Sequence, residues 1–462
     1  MKRWLRCLSA GVVLGLAAAA APAGAADLAV GPGRAFARIE DALAGAQPGD
    51  AILVYPRPGN QPYEKTALYV AKPRIAIRAV ALFGGSPGAT GQGRRIPLSG
   101  AGFDYSGRGS IPRAIVQFNR GADGGLLEGF ELLDAHNDSS NGAGVRINQA
   151  NDVTVRRCEI HACDMGIMSN GDGTDSTARN QAIEACLIHS NGSLKEPGYN
   201  HNLYLGGTSV RLAACEVHSS LTGHNVKSRA HVTIVISCYI HDSSNREFDL
   251  VDSKGDTTRP GSDAVLAGNV IVKAPRCAGN KAVIHFGQDG GNEHDGTIWL
   301  AHNTIVTPFI SPVLALSAPR TRAQLWNNIV WNGGTEQRGQ VLVDAKAPGR
   351  PGETVQGRSN WLSGGFAGAA LAAMGLQQTF LARPGQAPPF AAPPKGDWRL
   401  AAADASIVNA GAALPPALKT LLGATLYQYE APLALEPRPD DGKPDLGAYE
   451  FGRSARGKAG SL

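Results

Sequence analysis

The sequence predicts an all-β solenoid, a parallel β-helix, and three observations carry that prediction. An apolar-x-x-(Cys or Asn)-x-(Ile or Val) pattern recurs as VRRCEIH at Val155, IEACLIH at Ile183, LAACEVH at Leu212, VISCYIH at Val235, LAGNVIV at Leu266, LAHNTIV at Leu300 and LWNNIV at Leu325, with LEGFEL at Leu127 as a looser first copy. Its key positions Phe130, Cys158, Cys186, Cys215, Cys238, Asn269, Asn303 and Asn328 are spaced 28, 28, 29, 23, 31, 34 and 25 residues apart. Helical solenoids keep their unit length, whereas short β-branched strands joined by variable loops tolerate this scatter. Composition agrees: 58 of 462 residues are Gly, and runs with helical apolar spacing are scarce. In such a rod each coil rises by one strand spacing, about 4.8 Å, so equivalent residues form ladders.

The elements follow in order. Residues 1–25 read as a secretory signal: Lys2, Arg3 and Arg6 precede an apolar stretch that ends in Ala23-Gly24-Ala25. Loss of those three cations takes the formal net charge from +5 to +2, which implies no nucleic-acid partner. No second apolar run is long enough to span a membrane. A secreted or periplasmic, monomeric protein is expected. Residues 26–355 are assigned to the β-helix, beginning with a cap whose helical stretch, Ile39 to Ala46, shields the first coil's edge. Residues 356–452 form an irregular C-terminal segment that closes the helix, and residues 453–462 a disordered tail.

Cys158, Cys186, Cys215 and Cys238 share one register and alternate with outward Glu, Leu or Tyr. They read as a buried ladder of reduced thiols, continued by Asn269, Asn303 and Asn328, rather than as disulfides. A second ladder, His161, His189, His218 and His241, reads as imidazoles stacked at a strand end, since no zinc motif has that spacing, with a transition metal held by the stacked imidazoles as the alternative.

The entry segment Val30 to Pro56, the repeats, and the exit segments DWRLAAADASIVNAGA and DDGKPDLGAYEFG together resemble the secreted bacterial right-handed parallel β-helix proteins of the pectate-lyase-like superfamily. The resemblance implies a right-handed coil; a groove along such a rod suits an extended polysaccharide, because successive coils repeat on the length scale of a sugar unit. It does not select among the lyases, hydrolases, epimerases and non-enzymatic proteins built on that fold.

A second strand precedes each Cys/Asn strand, with Val116, Val145, Ile167, Leu203, Val226, Phe248, Ile284 and Leu314 as its inward position. The next residue along points outward. That column runs Gln117, Arg146, Met168, Tyr204, Lys227, Asp249, His285, Ala315, with Asn202, Asn225 and Glu247 outward two residues earlier. His201, His224, Arg229 and Arg246 flank it, so reactive groups concentrate in the middle coils. The bland alternative is a polar skin of charge pairs.

A uronic-acid lyase needs a carboxylate neutraliser, a base at C5 and an acid at the leaving O4. Lys227, His224 and His201 are the candidate bases, Tyr204 the acid, and Arg229 and Arg246 the catalytic cations. Asn202, Asn225, Arg146 and His285 would bind substrate. The sequence assigns no cofactor; Glu247, Asp249 and Asp252 are the acids that would hold a Ca²⁺, and the acidic turns Asp252 to Asp263 and Gln288 to Asp295 offer further oxygens, although solvated loop acids are the blander reading of those turns. Lys227-Ser228 is similar to the catalytic Lys of the chondroitinase B and alginate lyase family. That family has an Arg on the following coil, where this chain has Asp249 with Arg246 three residues away. The functional expectation is a lyase of an acidic polysaccharide. A non-catalytic β-helix that binds or organises exopolysaccharide is the alternative, and a glycoside hydrolase using Glu247 and Asp249 a further one.

Overall fold

The structure, a computed structural model, describes residues 24–80, 94–277, 279, 282–308, 311–335, 338–346, 351–423 and 425–452. Three parallel sheets of 13, 11 and 10 strands run along a rod. One coil shows how they are built. Val226–Ser228 lies in the third (10-stranded) sheet, Val232–Ile236 in the first (13-stranded) and Tyr239–His241 in the second (11-stranded); Phe248–Val251 then returns to the third, directly beside Val226–Ser228. The rod is a right-handed parallel β-helix, the hand that twisted strands impose on parallel crossovers.

The inward column has the expected register. Leu68, Val116, Val145, Ile167, Leu203, Val226, Phe248, Ile284 and Leu314 pair rung to rung, and none is more than 1% exposed. Each side chain of this kind contributes about 1.5–3 kcal/mol on full burial. At the N-terminal end the helix Ile39–Gly45 sets Ile39, Ala42 and Leu43 into the first coil's core.

The corner between the first and second sheets explains the Cys/Asn ladder. Arg157, Ala185, Ala214, Ser237, His302 and Asn327, each just before a ladder residue, are left-handed, with φ between 48° and 58°. Such a corner turns backbone groups away from the sheets, and they need other partners. Asn269 supplies them: its Nδ2 donates to the Val235 carbonyl at 2.9 Å, and its Oδ1 accepts the Cys238 N–H at 2.9 Å. Asn303, Asn328 and Asn360 repeat the arrangement coil by coil. The four ladder cysteines are wholly buried and unbridged, as is Cys163. Thiol titration of the denatured, unreduced protein is therefore expected to find at least these five thiols reactive, and fewer than four would contradict the ladder.

The sheets run on past residue 355: Val355–Arg358, Trp361–Leu362, Gly375–Gln377 and Phe380–Leu381 all pair in them. The rest of the chain turns back along the outside of the rod. The helix Pro416–Leu422 and Leu414 pack Leu414, Leu418 and Leu422 onto Ile236, Val265, Ala267 and Ala301 of the first sheet. Trp398 and Ala448 cover Val270 and Val306 of the second. This segment therefore clothes two outward faces, and apolar outward residues such as Val265 and Val270 are what it buries. Among the described residues no helix is long and apolar enough to cross a membrane. Most of the expected signal, residues 1–23, and the expected tail, residues 453–462, lie outside the described residues.

Candidate functional site

The outward column of the third sheet pairs as Gln117, Arg146, Met168, Tyr204, Lys227, Asp249, His285 and Ala315, the order that strand alternation predicts. Its middle is no open strip. A turn from Gly287 to Gly296 roofs it, leaving Lys227 8%, His285 4% and Asp249 0% exposed.

Asp249 is the hub. Its Oδ1 is 2.5 Å from Arg246 Nη1 and 2.8 Å from His285 Nδ1. Its Oδ2 faces Lys227 Nζ at 2.9 Å and His224 Nε2 at 3.3 Å, at ion-pair range but off the hydrogen-bonding directions. Burial alone would raise the Asp249 carboxyl, but the His285 hydrogen bond and the charges of Lys227 and Arg246 carry it well below the usual range. It stays ionised.

The outer layer centres on Asp289. Its Oδ2 lies 2.5 Å from Lys227 Nζ, and its Oδ1 2.5 Å from Arg229 Nη2. Arg229 also donates from Nε to the Tyr204 hydroxyl at 3.1 Å and from Nη1 to the Asp252 carbonyl. Burial works to raise Asp289, but the two cations outweigh it and hold the carboxyl below its ordinary value. Asp252 fixes the roof, accepting backbone N–H bonds from Asp289, Gly290 and Asn292 at 2.5, 2.8 and 2.6 Å. Of this layer Tyr204, Arg229 and Asp289 remain partly exposed.

The histidines are neutral and tied. His201 and His224 stack with centroids 4.9 Å apart. His201 Nδ1 accepts the His224 N–H at 3.0 Å, and His224 Nδ1 accepts the Arg246 N–H at 3.2 Å. Each therefore spends its lone pair on backbone and carries its proton on Nε2. Burial pushes His224 down to about 4, and burial with the neighbouring His224 and Lys227 holds His201 well below its ordinary value. A lowered histidine stabilises the fold above its unfolded pKa of about 6.5 and loses that contribution as pH falls towards the folded value. His224→Asn keeps an acceptor for the Arg246 N–H but cannot titrate. Its stability deficit against the parent protein is expected to shrink from pH 7 to pH 4, which denaturation at each pH would measure. A constant deficit would show that His224 is not held neutral.

Several sequence expectations need correction. Asn202, Asn225 and Glu247 are not outward: all three are 0% exposed. The strands begin at Leu203, Val226 and Phe248, so alternation does not extend back to the residue before. They form an interior corner ladder with Asn191: Asn202 Nδ2 donates to Asn225 Oδ1 at 2.8 Å and Asn225 Nδ2 to Glu247 Oε2 at 2.6 Å. Glu247 also meets the buried Lys273 at 3.5 Å. Neither asparagine is presented to a substrate, and Glu247 shares no face with Asp249. Glu247, Asp249 and Asp252 accordingly occupy three separate environments, which do not fit one shared Ca²⁺, and the Glu247–Asp249 pair does not fit a hydrolase. His285 has the expected column position, but Asp249 and Ser317 Oγ, the latter at 2.6 Å, occupy both its nitrogens. Arg146 stands two rungs from Tyr204, against Met168. Asp289 lies in the acidic, glycine-rich GQDGGNEHDG turn that the sequence offers as a set of Ca²⁺ acids and a wall of the strip; its pairing with Lys227 and Arg229 has no signal in the sequence. Lys273 and Ser317 had none.

No family model matches the chain, and no curated protein does. Among solved structures it is similar to pectate lyase Pel9A (14% identity, TM-score 0.47, 89% of this chain and 90% of that one). It is also similar to a double mutant of the tailspike protein of E. coli bacteriophage HK620 in complex with a pentasaccharide (10%, TM-score 0.37, 73% and 67%). A third is a variant of the PL6 family alginate lyase AlyGC (12%, TM-score 0.37, 92% and 56%). At these values no residue correspondence transfers, and the fold assignment rests on the three sheets themselves.

Proposed function

We propose that this is an exported carbohydrate-active β-helix protein that cleaves an extended acidic polysaccharide by β-elimination at Tyr204, Lys227 and Arg229. One observation carries the reading: the two oxygens of a single carboxylate, that of Asp289, are gripped by Lys227 and Arg229, and the same guanidinium holds the Tyr204 hydroxyl. A uronate carboxylate that takes the place of Asp289 meets two cations, which neutralise it and acidify the adjacent C5–H. Tyr204 first gives its hydroxyl proton to solvent and its oxygen then takes the C5 proton; the C–H electron pair forms the C4–C5 double bond as the C4–O4 bond breaks. The departing O4 then takes the proton from Tyr204. His201 and His224 are set aside as bases because backbone N–H groups hold their lone pairs; they buttress Tyr204, whose ring meets His201 edge-on at 5.4 Å.

The test is a screen of uronate-containing glycans for the ultraviolet absorbance of unsaturated ends. Growth of that absorbance with one of them supports the proposal. The non-catalytic reading is favoured by the fact that Lys227, Arg229 and Arg246 are each already paired with Asp249 or Asp289. It predicts saturable glycan binding with no new chain ends.

A further inference from the structure

The outward face of the second sheet carries a cluster that plays no part in this chemistry. His161, His189, His218 and His241 stack with centroids 5.1, 4.9 and 4.8 Å apart and ring planes within 11° of parallel. Beside them runs a second column: Glu131, Glu159, Leu187, Glu216, Tyr239. Each imidazole Nε2 turns towards the acid one coil earlier: His161 to Glu131 at 3.0 Å, His189 to Glu159 at 3.4 Å and His241 to Glu216 at 3.4 Å. His218 is the exception, because the preceding rung is Leu187.

Among the described residues, two places on this face bring three metal-ligating atoms within 4.8 Å of one another: Glu131 with Glu159 and His161, and Glu216 with His218 and His241. The first is compromised, since Arg95 Nη1 sits 2.8 Å from Glu159 and brings a competing positive charge. The second has an orienting partner behind every ligand. Ser219 Oγ is 2.9 Å from His218 Nδ1, Asp242 Oδ2 is 2.9 Å from His241 Nδ1, and the Tyr429 hydroxyl donates to Glu216 Oε2 at 3.2 Å. These contacts occupy both Nδ1 atoms and Glu216 Oε2, leaving the two Nε2 atoms side by side in the stack with Glu216 Oε1 beside them, all within 4.8 Å of one another, with the outer-shell partners that orient imidazole and carboxylate ligands. The Tyr239 ring, 4.0 Å from His241, closes one side, and all three ligands are partly open to solvent.

We propose that Glu216, His218 and His241 bind a divalent transition-metal ion of the zinc class. Two imidazoles and one carboxylate suit zinc, copper or nickel better than the all-oxygen preference of Ca²⁺ or Mg²⁺, and a fourth position stays open to water. Bonds of about 2.0–2.1 Å require the donors to draw closer than their present spread. Partly exposed rings at a strand end can tilt that far. The bound ion would clamp two adjacent coils and, through Tyr429, the returning C-terminal segment. None of this depends on the polysaccharide reading.

The experiment uses untagged protein stripped with a chelator. Titration with Zn²⁺ by calorimetry is expected to show one ion per chain and a rise in Tm, with Ca²⁺ giving neither, and Co²⁺ is expected to give visible absorption. His218→Ala/His241→Ala should abolish the stoichiometric ion and the Tm rise, Glu216→Gln should weaken binding at least tenfold, and His161→Ala should leave both unchanged. Should the double variant fold poorly, Glu216→Gln, which preserves the side-chain shape, decides. No stoichiometric binding to the parent protein, or unchanged binding in the folded ligand variants, would overturn the proposal.

Discussion

Asp249→Ala is expected to cost about 3–5 kcal/mol of stability, the range for removing one partner of a buried ion pair. Asp249 is wholly buried and takes Arg246 at 2.5 Å, His285 at 2.8 Å and Lys227 at 2.9 Å, so its loss leaves the buried Lys227 ammonium with Asp289 as its remaining carboxylate and takes from the Arg246 guanidinium the carboxylate it pairs with. Asp249→Asn retains the volume and one acceptor and should cost less. Replacing Lys227 by Met in the Asp249→Leu background should recover part of the deficit, because apolar groups of similar size often substitute for a buried pair without loss. Urea denaturation of the four variants measures this. A deficit below about 1 kcal/mol for Asp249→Ala, the range of exposed pairs, would mean that the roof over the column stands open in solution.

The legible part of the fold is the part governed by short-range alternation. Val116 to Leu314 could be aligned by apolarity alone, and once Leu203, Val226 and Phe248 pointed in, Tyr204, Lys227 and Asp249 had to point out. The same rule failed one residue earlier, at Asn202, Asn225 and Glu247, because the chain bends there and the next side chains turn into the corner. Asn269, Asn303 and Asn328 were readable because one side chain serves the same corner on every coil; Asn360 lay beyond the recognised repeats. The burial of Lys227 was not readable. It depends on Asp289, 62 residues away, and on Asp252 organising that turn, a contact between loops that no periodicity encodes. The path of the C-terminal segment was hidden for a similar reason. Trp398, Leu414 and Leu418 mark something to be buried, but their complement, Val265, Val270 and Val306, sits on distant strands whose outward positions are unexpectedly apolar.

On a glycan that the parent protein cleaves, Tyr204→Phe is expected to lower the rate of unsaturated-end formation by about 10²–10⁴-fold, the usual contribution of a positioned general acid–base group. The change removes one oxygen. It leaves the ring against His201 and takes from Arg229 one of three partners, with Asp289 and the Asp252 carbonyl retained. Tyr204 is partly exposed, so thermal stability should move by no more than about 0.5 kcal/mol, and the loss can be assigned to chemistry rather than unfolding. Asp289→Asn acts in the opposite sense in the same assay. It withdraws the internal carboxylate that competes for Lys227 and Arg229, so KM for an acidic glycan should fall and the salt dependence of binding steepen. Full activity in Tyr204→Phe would remove the hydroxyl from the mechanism. If Asp289→Asn bound the glycan more tightly while neither it nor the parent protein ever produced an unsaturated end, the Lys227–Arg229 pair would be a carboxylate receptor and the protein a glycan binder.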